Sequence, residues 1–113
     1  MSQITTHILD TSQGIPATDV RVKLEVLSAN KWQPLVAGIT DSDGRIPAFL
    51  PSDQVLVAGT YRMVFDIADY FQKHQQPVFY PYVEVAFNIP AGGAHFHIPL
   101  LLSPFGYSTY RGS

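Results

Sequence analysis

Three histidines and an arginine are the residues whose types and spacing suit proton transfer next to a polar ligand. His95 and His97 stand two positions apart, and alternate residues of a strand project from the same face. His7 lies in a strand-like stretch near the N-terminus, and Arg45 follows the turn Asp41–Gly44. Imidazoles titrate near neutral pH, and a guanidinium binds carbonyl or anionic groups through a planar set of donors. The pattern suggests acid–base chemistry on a carbonyl-rich ligand.

The C-terminal residues Tyr110, Arg111, Gly112 and Ser113 form a second candidate for function. An arginine between an aromatic residue and a glycine is an unusual tail unless the tail is held, because chain termini normally fray. The residues just upstream favour a strand, which predicts a hairpin with Leu100–Leu102. We therefore expect an ordered tail that can line a site.

Other chemistries are less well supported. The His95-x-His97 pair could ligate zinc or copper, but further ligands are not evident and the chain has no cysteine. The turn at Asp41 resembles the start of a calcium loop, yet Ser52 stands where that loop needs a glutamate. No G-x-S-x-G elbow is present, so water is the expected nucleophile and no metal or cofactor is expected. The histidines could equally be solvent-facing strand residues.

Composition limits the partners of this chain. It has 113 residues with a formal net charge of -2, and 14% are charged while 46% are hydrophobic. Scattered cations argue against nucleic acid, whose binding needs clustered positive charge. So little charge on a small body indicates that part of its apolar surface meets another subunit. We expect one domain over residues 1–113.

The chain is also expected to be cytoplasmic. No run of residues approaches the roughly 20 apolar residues that cross a bilayer, and no export or organelle signal is visible. The absence of cysteine agrees, because small secreted folds often carry disulfides.

Short β-branched and aromatic runs between nine prolines and eight glycines predict an all-β sandwich or barrel. Apolar and polar residues alternate in several of these runs. The predicted strands cover 4–9, 20–26, 32–40, 59–67, 82–89, 95–102 and 107–111, with another short strand after Arg45. One helix is predicted over 68–75.

Five segments together resemble the 5-hydroxyisourate hydrolases, the transthyretin-like enzymes of purine and urate breakdown. Thr5–Asp10 and Gly14–Ala17 resemble the opening signature of that family, and Thr40–Arg45 resembles its central turn. His95–Pro104 and Tyr107–Ser113 resemble its C-terminal signature. The final tetrapeptide separates these hydrolases from the hormone-carrying transthyretins, which lack it.

The resemblance implies a transthyretin-like eight-stranded β-sandwich with one short helix, assembled as a homotetramer with active sites between dimers. It implies hydrolysis of 5-hydroxyisourate at the N1–C6 amide. The implied catalytic residues are His7, Arg45, His97 and Ser113, and the implied substrate-binding residues are His7, Arg45, Tyr110, Arg111 and Gly112. His97 is chosen because it directly precedes the Ile98-Pro99 step of the motif, and His95 becomes a supporting neighbour.

Two other functions stay open on the residues alone. A transthyretin-like carrier would hold a small hydrophobic ligand in the same channel, although such a ligand does not need groups suited to acid–base work. A structural β-sandwich or adaptor without pocket chemistry is the other possibility, and composition alone favours it.

Overall fold

Two four-stranded sheets build the protein in a computed structural model that describes residues 2–112. One sheet has the strand order β2-β1-β7-β8 and the other has the order β4-β3-β5-β6. The strands are β1 Ile4–Asp10, β2 Ile15–Pro16, β3 Arg21–Ser28, β4 Lys31–Ile39, β5 Gly59–Asp66, β6 Val83–Ile89, β7 Phe96–Ser103 and β8 Gly106–Thr109. A short helix, α1 Ala68–Lys73, stands between β5 and β6.

The core lies between the two sheets, where alternate residues of each strand point inward. On β1 the buried side chains include Ile4 and Ile8, and on β7 they include Leu100 and Leu102. Inward positions of the second sheet supply Val22, Leu24, Met63 and Phe65 among others. Because successive strand residues face opposite ways, the odd-numbered residues of β1 and β7 lie on the outer face of their sheet.

The parallel pairing of β1 with β7 joins the two ends of the chain. Ile4 is opposite Phe96, Thr5 is opposite His97, and His7 is opposite Pro99. The histidine-bearing segments predicted from sequence therefore share one sheet face, although they are far apart along the chain.

The predicted all-β sandwich of eight strands with one short helix is confirmed, but one predicted strand is wrong. Residues 46–58 contain no strand, and Arg45 forms only an isolated bridge with His7. Pro47 and Pro51 lack the backbone donor that a ladder needs, and Ala48 has a φ of 53°. The eighth strand is instead the short β2, which pairs with the end of β1.

The helix is shorter than the predicted range 68–75. It ends at Lys73, and Gln75 adopts a φ of 58°, which stops the helix before Pro77. Tyr70 and Phe71 are buried, as the helical spacing of apolar residues indicated. Within residues 2–112, no helix has the length and apolar character required to span a membrane.

Candidate active site

The strand register gathers the site histidines on the outer face of the β2-β1-β7-β8 sheet. His7 on β1 and His97 on β7 are both half-buried, while His95 directly precedes β7 and is exposed. His97, Pro99 and Leu101 share one face of β7, as predicted, because their neighbours in sequence point into the core.

The turn before Arg45 brings the guanidinium to this face. The Asp41 carboxylate accepts hydrogen bonds from the backbone N–H groups of Asp43 at 2.9 Å and Arg45 at 3.1 Å. Gly44 has a φ of +73°, and its carbonyl accepts a hydrogen bond from the Ile8 N–H at 2.9 Å. A Cβ added at Gly44 would lie 2.5 Å from the Ile8 carbonyl oxygen, so the turn needs glycine there. The turn is thus fastened to β1, with Arg45 bridged to His7.

Both site histidines are held neutral by their surroundings. Burial lowers the pKa of His7 from its ordinary value of 6.5, and the positive charge of Arg45 lowers it further. The backbone of Asp43 and the carboxylates of Asp43 and Asp41 oppose that shift in the pKa of His7. Burial also lowers the pKa of His97, followed by the charges of Arg45, His7 and His95. An imidazole that stays neutral near pH 7 can accept a proton.

An open cavity of about 580 Å³ adjoins these groups. Thr5, Arg45, His95 and His97 line it, and the loop residues Ile46 and Pro47 form an apolar side. Among the described residues that line this cavity, His7 is absent. It is connected to the cavity through the isolated β-bridge that it forms with Arg45, which does line it. The cavity can therefore present imidazole and guanidinium groups to a small polar ring.

The C-terminal tail is held against His97. Strand β8 pairs with β7, which confirms the predicted hairpin, and the Gly112 N–H donates to the His97 carbonyl at 2.7 Å. A Cβ added at Gly112 would lie 2.5 Å from Cδ2 of the His97 ring. Glycine is therefore the residue that lets the tail pass this close to the imidazole.

Other tail residues lie elsewhere in the protomer. Tyr110 and Arg111 line a second cavity of about 480 Å³ between β6 and β8. The Arg111 guanidinium carbon is 4.5 Å from the centroid of the Phe96 ring, a cation–π contact on the core side of the sheet. Within one protomer these two side chains are apart from the cavity of His97, and Ser113 lies outside the described residues.

Thr5 is a site residue that sequence reasoning missed. Its hydroxyl oxygen is 2.8 Å from Nδ1 of His97 and 3.0 Å from Nε2 of His95. The strand period showed that Thr5 shares a face with His7, but the pairing of β1 with β7 is what makes it a neighbour of His97.

No cluster of three or more histidine, aspartate or glutamate side chains among residues 2–112 is placed to hold a metal ion. The chemistry that the site offers is proton transfer by imidazole, with a cation available to stabilise negative charge on oxygen. Those are the requirements for hydrolysing an amide with water.

The chain is similar to 5-hydroxyisourate hydrolases and to a transthyretin in complex with thyroxine. The 5-hydroxyisourate hydrolase of Mus musculus is 46% identical over 114 residues, which cover 99% of this chain and 96% of the mouse protein. The structure of Klebsiella pneumoniae 5-hydroxyisourate hydrolase matches with a TM-score of 0.83 at 36% identity, covering 97% of this chain and 98% of that one. Sea bream transthyretin in complex with thyroxine matches with a TM-score of 0.91 at 34% identity, covering 98% and 95% of the two chains.

The family model described as HIUase/Transthyretin family matches residues 4–112, which include every strand and each described site residue. Together with the identity to the mouse protein over nearly the full length of both chains, this match shows that the chain belongs to the HIUase/Transthyretin family.

Proposed function

We propose that this protein hydrolyses 5-hydroxyisourate in purine and urate breakdown. Water opens the N1–C6 amide of the six-membered ring and gives 2-oxo-4-hydroxy-4-carboxy-5-ureidoimidazoline. The observation that carries the proposal is the meeting of His7, Arg45 and His97 at one end of a sheet face, with both imidazoles held neutral. The mouse relative that is 46% identical to this chain is a 5-hydroxyisourate hydrolase, which supports the same substrate.

The mechanism divides three tasks among these groups. One of the two imidazoles removes a proton from water as the water oxygen attacks C6, and the other donates a hydrogen bond or a proton. Arg45 binds ring carbonyls and stabilises the negative charge that forms on the C6 oxygen. When the C6–N1 bond breaks, N1 receives a proton and the ring opens to a carboxylate.

The tail completes the proposed site. Gly112 lies against His97, and Ser113 follows it as the fourth proposed catalytic residue. Tyr110 and Arg111 are proposed to bind substrate. Because they line a different cavity of the same protomer, this role requires that neighbouring protomers meet there or that the tail moves.

We further propose a homotetramer. Large apolar side chains are exposed in one protomer, with Val57 74%, Phe105 64% and Phe79 62% accessible. Strands β6 and β8 are both free sheet edges, which are surfaces that other chains can cover. The cavity beside His97 is open, so a second protomer would also shield it from bulk solvent.

A direct assay tests the proposed reaction. Freshly generated 5-hydroxyisourate decays spontaneously, and its ultraviolet absorbance should fall faster with the protein than with buffer or with heat-denatured protein. A decay rate equal to that in buffer at micromolar protein would reject the proposal.

The carrier function is the second candidate, and the TM-score of 0.91 to a thyroxine-bound transthyretin favours it. Titrating the protein with thyroxine separates the two functions. A carrier would bind the hormone without accelerating the decay of 5-hydroxyisourate, whereas the imidazole and guanidinium groups that line the described cavity favour the opposite result.

Two coarser predictions accompany the proposal. Residues 1–113 are proposed to be one hydrolase domain, since one hydrophobic core joins both sheets and the family match extends over 4–112. The cytoplasmic location stays a prediction, which fractionation of cells that express the native protein would test.

A further inference from the structure

The Thr5 hydroxyl bridges two imidazole rings beside the proposed active site. Its oxygen is 2.8 Å from Nδ1 of His97 and 3.0 Å from Nε2 of His95, and both distances are those of hydrogen bonds. A threonine hydroxyl carries one hydrogen and can also accept. It therefore donates to one neutral imidazole while it accepts an N–H from the other.

The direction of this chain determines which nitrogen of His97 is free. If Thr5 accepts the Nδ1–H of His97 and donates to Nε2 of His95, then neutral His97 has an unprotonated Nε2. If the direction is reversed, Nε2 carries the proton and cannot act as a base. The direction in which the Thr5 hydroxyl points its hydrogen thus decides whether Nε2 of His97 is a proton acceptor or a hydrogen-bond donor.

The packing around His97 limits which ring atoms face the ligand. Nδ1 is engaged by Thr5, and a Cβ at Gly112 would lie 2.5 Å from Cδ2 and 3.1 Å from Cγ of the ring. Among residues 2–112, these contacts leave Nε2 and Cε1 of His97 to face other groups. The positive charge of Arg45 disfavours a second proton on His97, so the ring is neutral and one of its two nitrogens keeps a lone pair.

We infer that Thr5, itself anchored by His95, is the positioning residue that holds His97 with a proton on Nδ1 and a free lone pair on Nε2. This inference rests on the proposed hydrolase function and deepens it, because it assigns the general base to His97. The donor role then falls to His7.

The surroundings of the two histidines agree with this division. The titratable groups that face His97 are Arg45, His7 and His95, and a positive charge on any of them disfavours its protonated form. Burial and Arg45 also lower the pKa of His7, but the backbone of Asp43 and the carboxylates of Asp41 and Asp43 favour its protonated form. The pKa of both histidines is lowered, but among residues 2–112 only His7 has carboxylates beside it that favour holding a proton to donate.

Nitrogen NMR on the full-length protein tests the inference without any turnover. In protein labelled with 15N-histidine near pH 7.5, His97 should show a protonated Nδ1 and an unprotonated Nε2. Thr5→Val removes the hydroxyl while keeping the branched shape, and it should move His97 toward the Nε2–H form. Thr5→Ser keeps the hydroxyl and should restore the original form.

Kinetics supply the second readout. Thr5→Val should lower kcat by about 10- to 100-fold, the range typical for removing a group that orients a histidine ring. Its KM should change little, and Thr5→Ser should recover most of the rate. His95→Phe should give a smaller loss, because Thr5 can still accept from Nδ1.

Wild-type His97 with its proton on Nε2 would overturn the inference. So would a Thr5→Val protein with the wild-type rate, or one that loses rate with an unchanged His97 tautomer. Failure of the hydrolase function itself is distinguishable, since the wild type would then not accelerate decay of 5-hydroxyisourate, whatever its NMR signals show.

Discussion

At the scale of single residues, the site depends on keeping two imidazoles neutral beside a guanidinium. Burial lowers the pKa of both His7 and His97, and Arg45 is the next cause for each. A neutral imidazole can accept a proton near pH 7, and the same cation that keeps it neutral can stabilise an oxyanion. In the proposed mechanism, Arg45 therefore has two roles.

Replacing either His7 or His97 with asparagine should reduce kcat for 5-hydroxyisourate by about two to four powers of ten, as expected when acid–base catalysis is lost. Far-ultraviolet circular dichroism should be unchanged. His74→Asn is the matched control, because His74 packs on Tyr70 at 4.4 Å between ring centroids, away from the cavity. Near-wild-type turnover by His7→Asn or His97→Asn would remove that residue from the mechanism.

The pH dependence of kcat/KM should report the lowered pKa of the base. On the acid side of the profile, kcat/KM should decrease with an apparent pKa below 6.5, the ordinary pKa of histidine. Arg45→Gln removes a cation that disfavours the imidazolium, so its acid limb should move to higher pH while its maximal rate drops. An unmoved limb in Arg45→Gln would show that the titrating group is not next to Arg45.

At the scale of secondary-structure elements, the β7–β8 hairpin and the tail fix His97 from one side. Strand β8 holds the tail beside β7, and the Gly112 N–H donates to the His97 carbonyl. The ring of His97 fills the space that any larger residue at position 112 would need. Strand β7, which carries His97, and the tail that packs against its ring thus set the orientation of this imidazole.

Gly112→Ala should reduce turnover more than stability. The new methyl carbon would lie 2.5 Å from Cδ2 of the His97 ring, so it must displace that ring. The expected loss in kcat is about 10-fold or more, with little change in the midpoint of urea unfolding. Gly106→Ala in the same hairpin is the matched control, since its nearest contact would be an ordinary 3.7 Å to Ser103. Equal rates for the two variants would contradict the close packing.

The buried carboxylate of Asp10 connects β1 to α1. Asp10 is 0% exposed and accepts hydrogen bonds from the Tyr70 hydroxyl at 2.7 Å and from Ser12 and Gln13. Burial raises the pKa of Asp10, but these donors outweigh it and the net pKa is below 3.8. Burial and the hydrogen bond to Asp10 raise the pKa of Tyr70. The carboxylate therefore belongs to the folded state as an anion.

Asp10→Asn should destabilise the protein by about 1.5–3 kcal/mol at pH 7, because the amide nitrogen would face donors in place of a charged acceptor. The folded pKa of Asp10 is the lower one, so its stabilisation is present above pH 3.8 and disappears as the pH falls through the folded value. Urea unfolding at a fixed protomer concentration should show a wild-type advantage at pH 7 that shrinks toward pH 3. A constant advantage would contradict ionisation of Asp10.

At the scale of the whole molecule, the proposed assembly explains why so much apolar surface is exposed on one protomer. Phe105 and Phe79 are exposed with their ring centroids 5.9 Å apart, near the free edge strand β8. Burying such side chains and pairing the free strand edges would both favour association. The proposed position of Tyr110 and Arg111 in substrate binding also needs a neighbouring chain or a moved tail.

Multi-angle light scattering on the purified protein should give a mass of four chains of 12.5 kDa each. Phe105→Glu should weaken association, because it introduces a charge into the surface proposed to be buried. The specific activity of that variant, its rate per protomer, should then rise with protein concentration. A fully active monomer would contradict the proposed assembly and leave the tail to act within one protomer.

Much of the fold followed from local patterns in the sequence. Alternation over 20–26 and 82–89 predicted which residues face the core, because the strand period of two is a property of the backbone. The turn at Asp41–Gly44 was predicted from an aspartate that accepts backbone hydrogen bonds and a glycine that takes a positive φ. The strand expected after Arg45 failed because prolines there withhold ladder donors.

The sequence by itself determined which residues share a strand face with His7 and with His97, since alternation requires no knowledge of the neighbouring strand. Only the tertiary structure decided which segments are neighbours. It placed Thr5 against His97, 92 positions away, and Arg45 against His7, while it put Tyr110 and Arg111 on a different cavity. The physical reason is that pairing between distant strands depends on packing of the whole core, which a local pattern cannot specify.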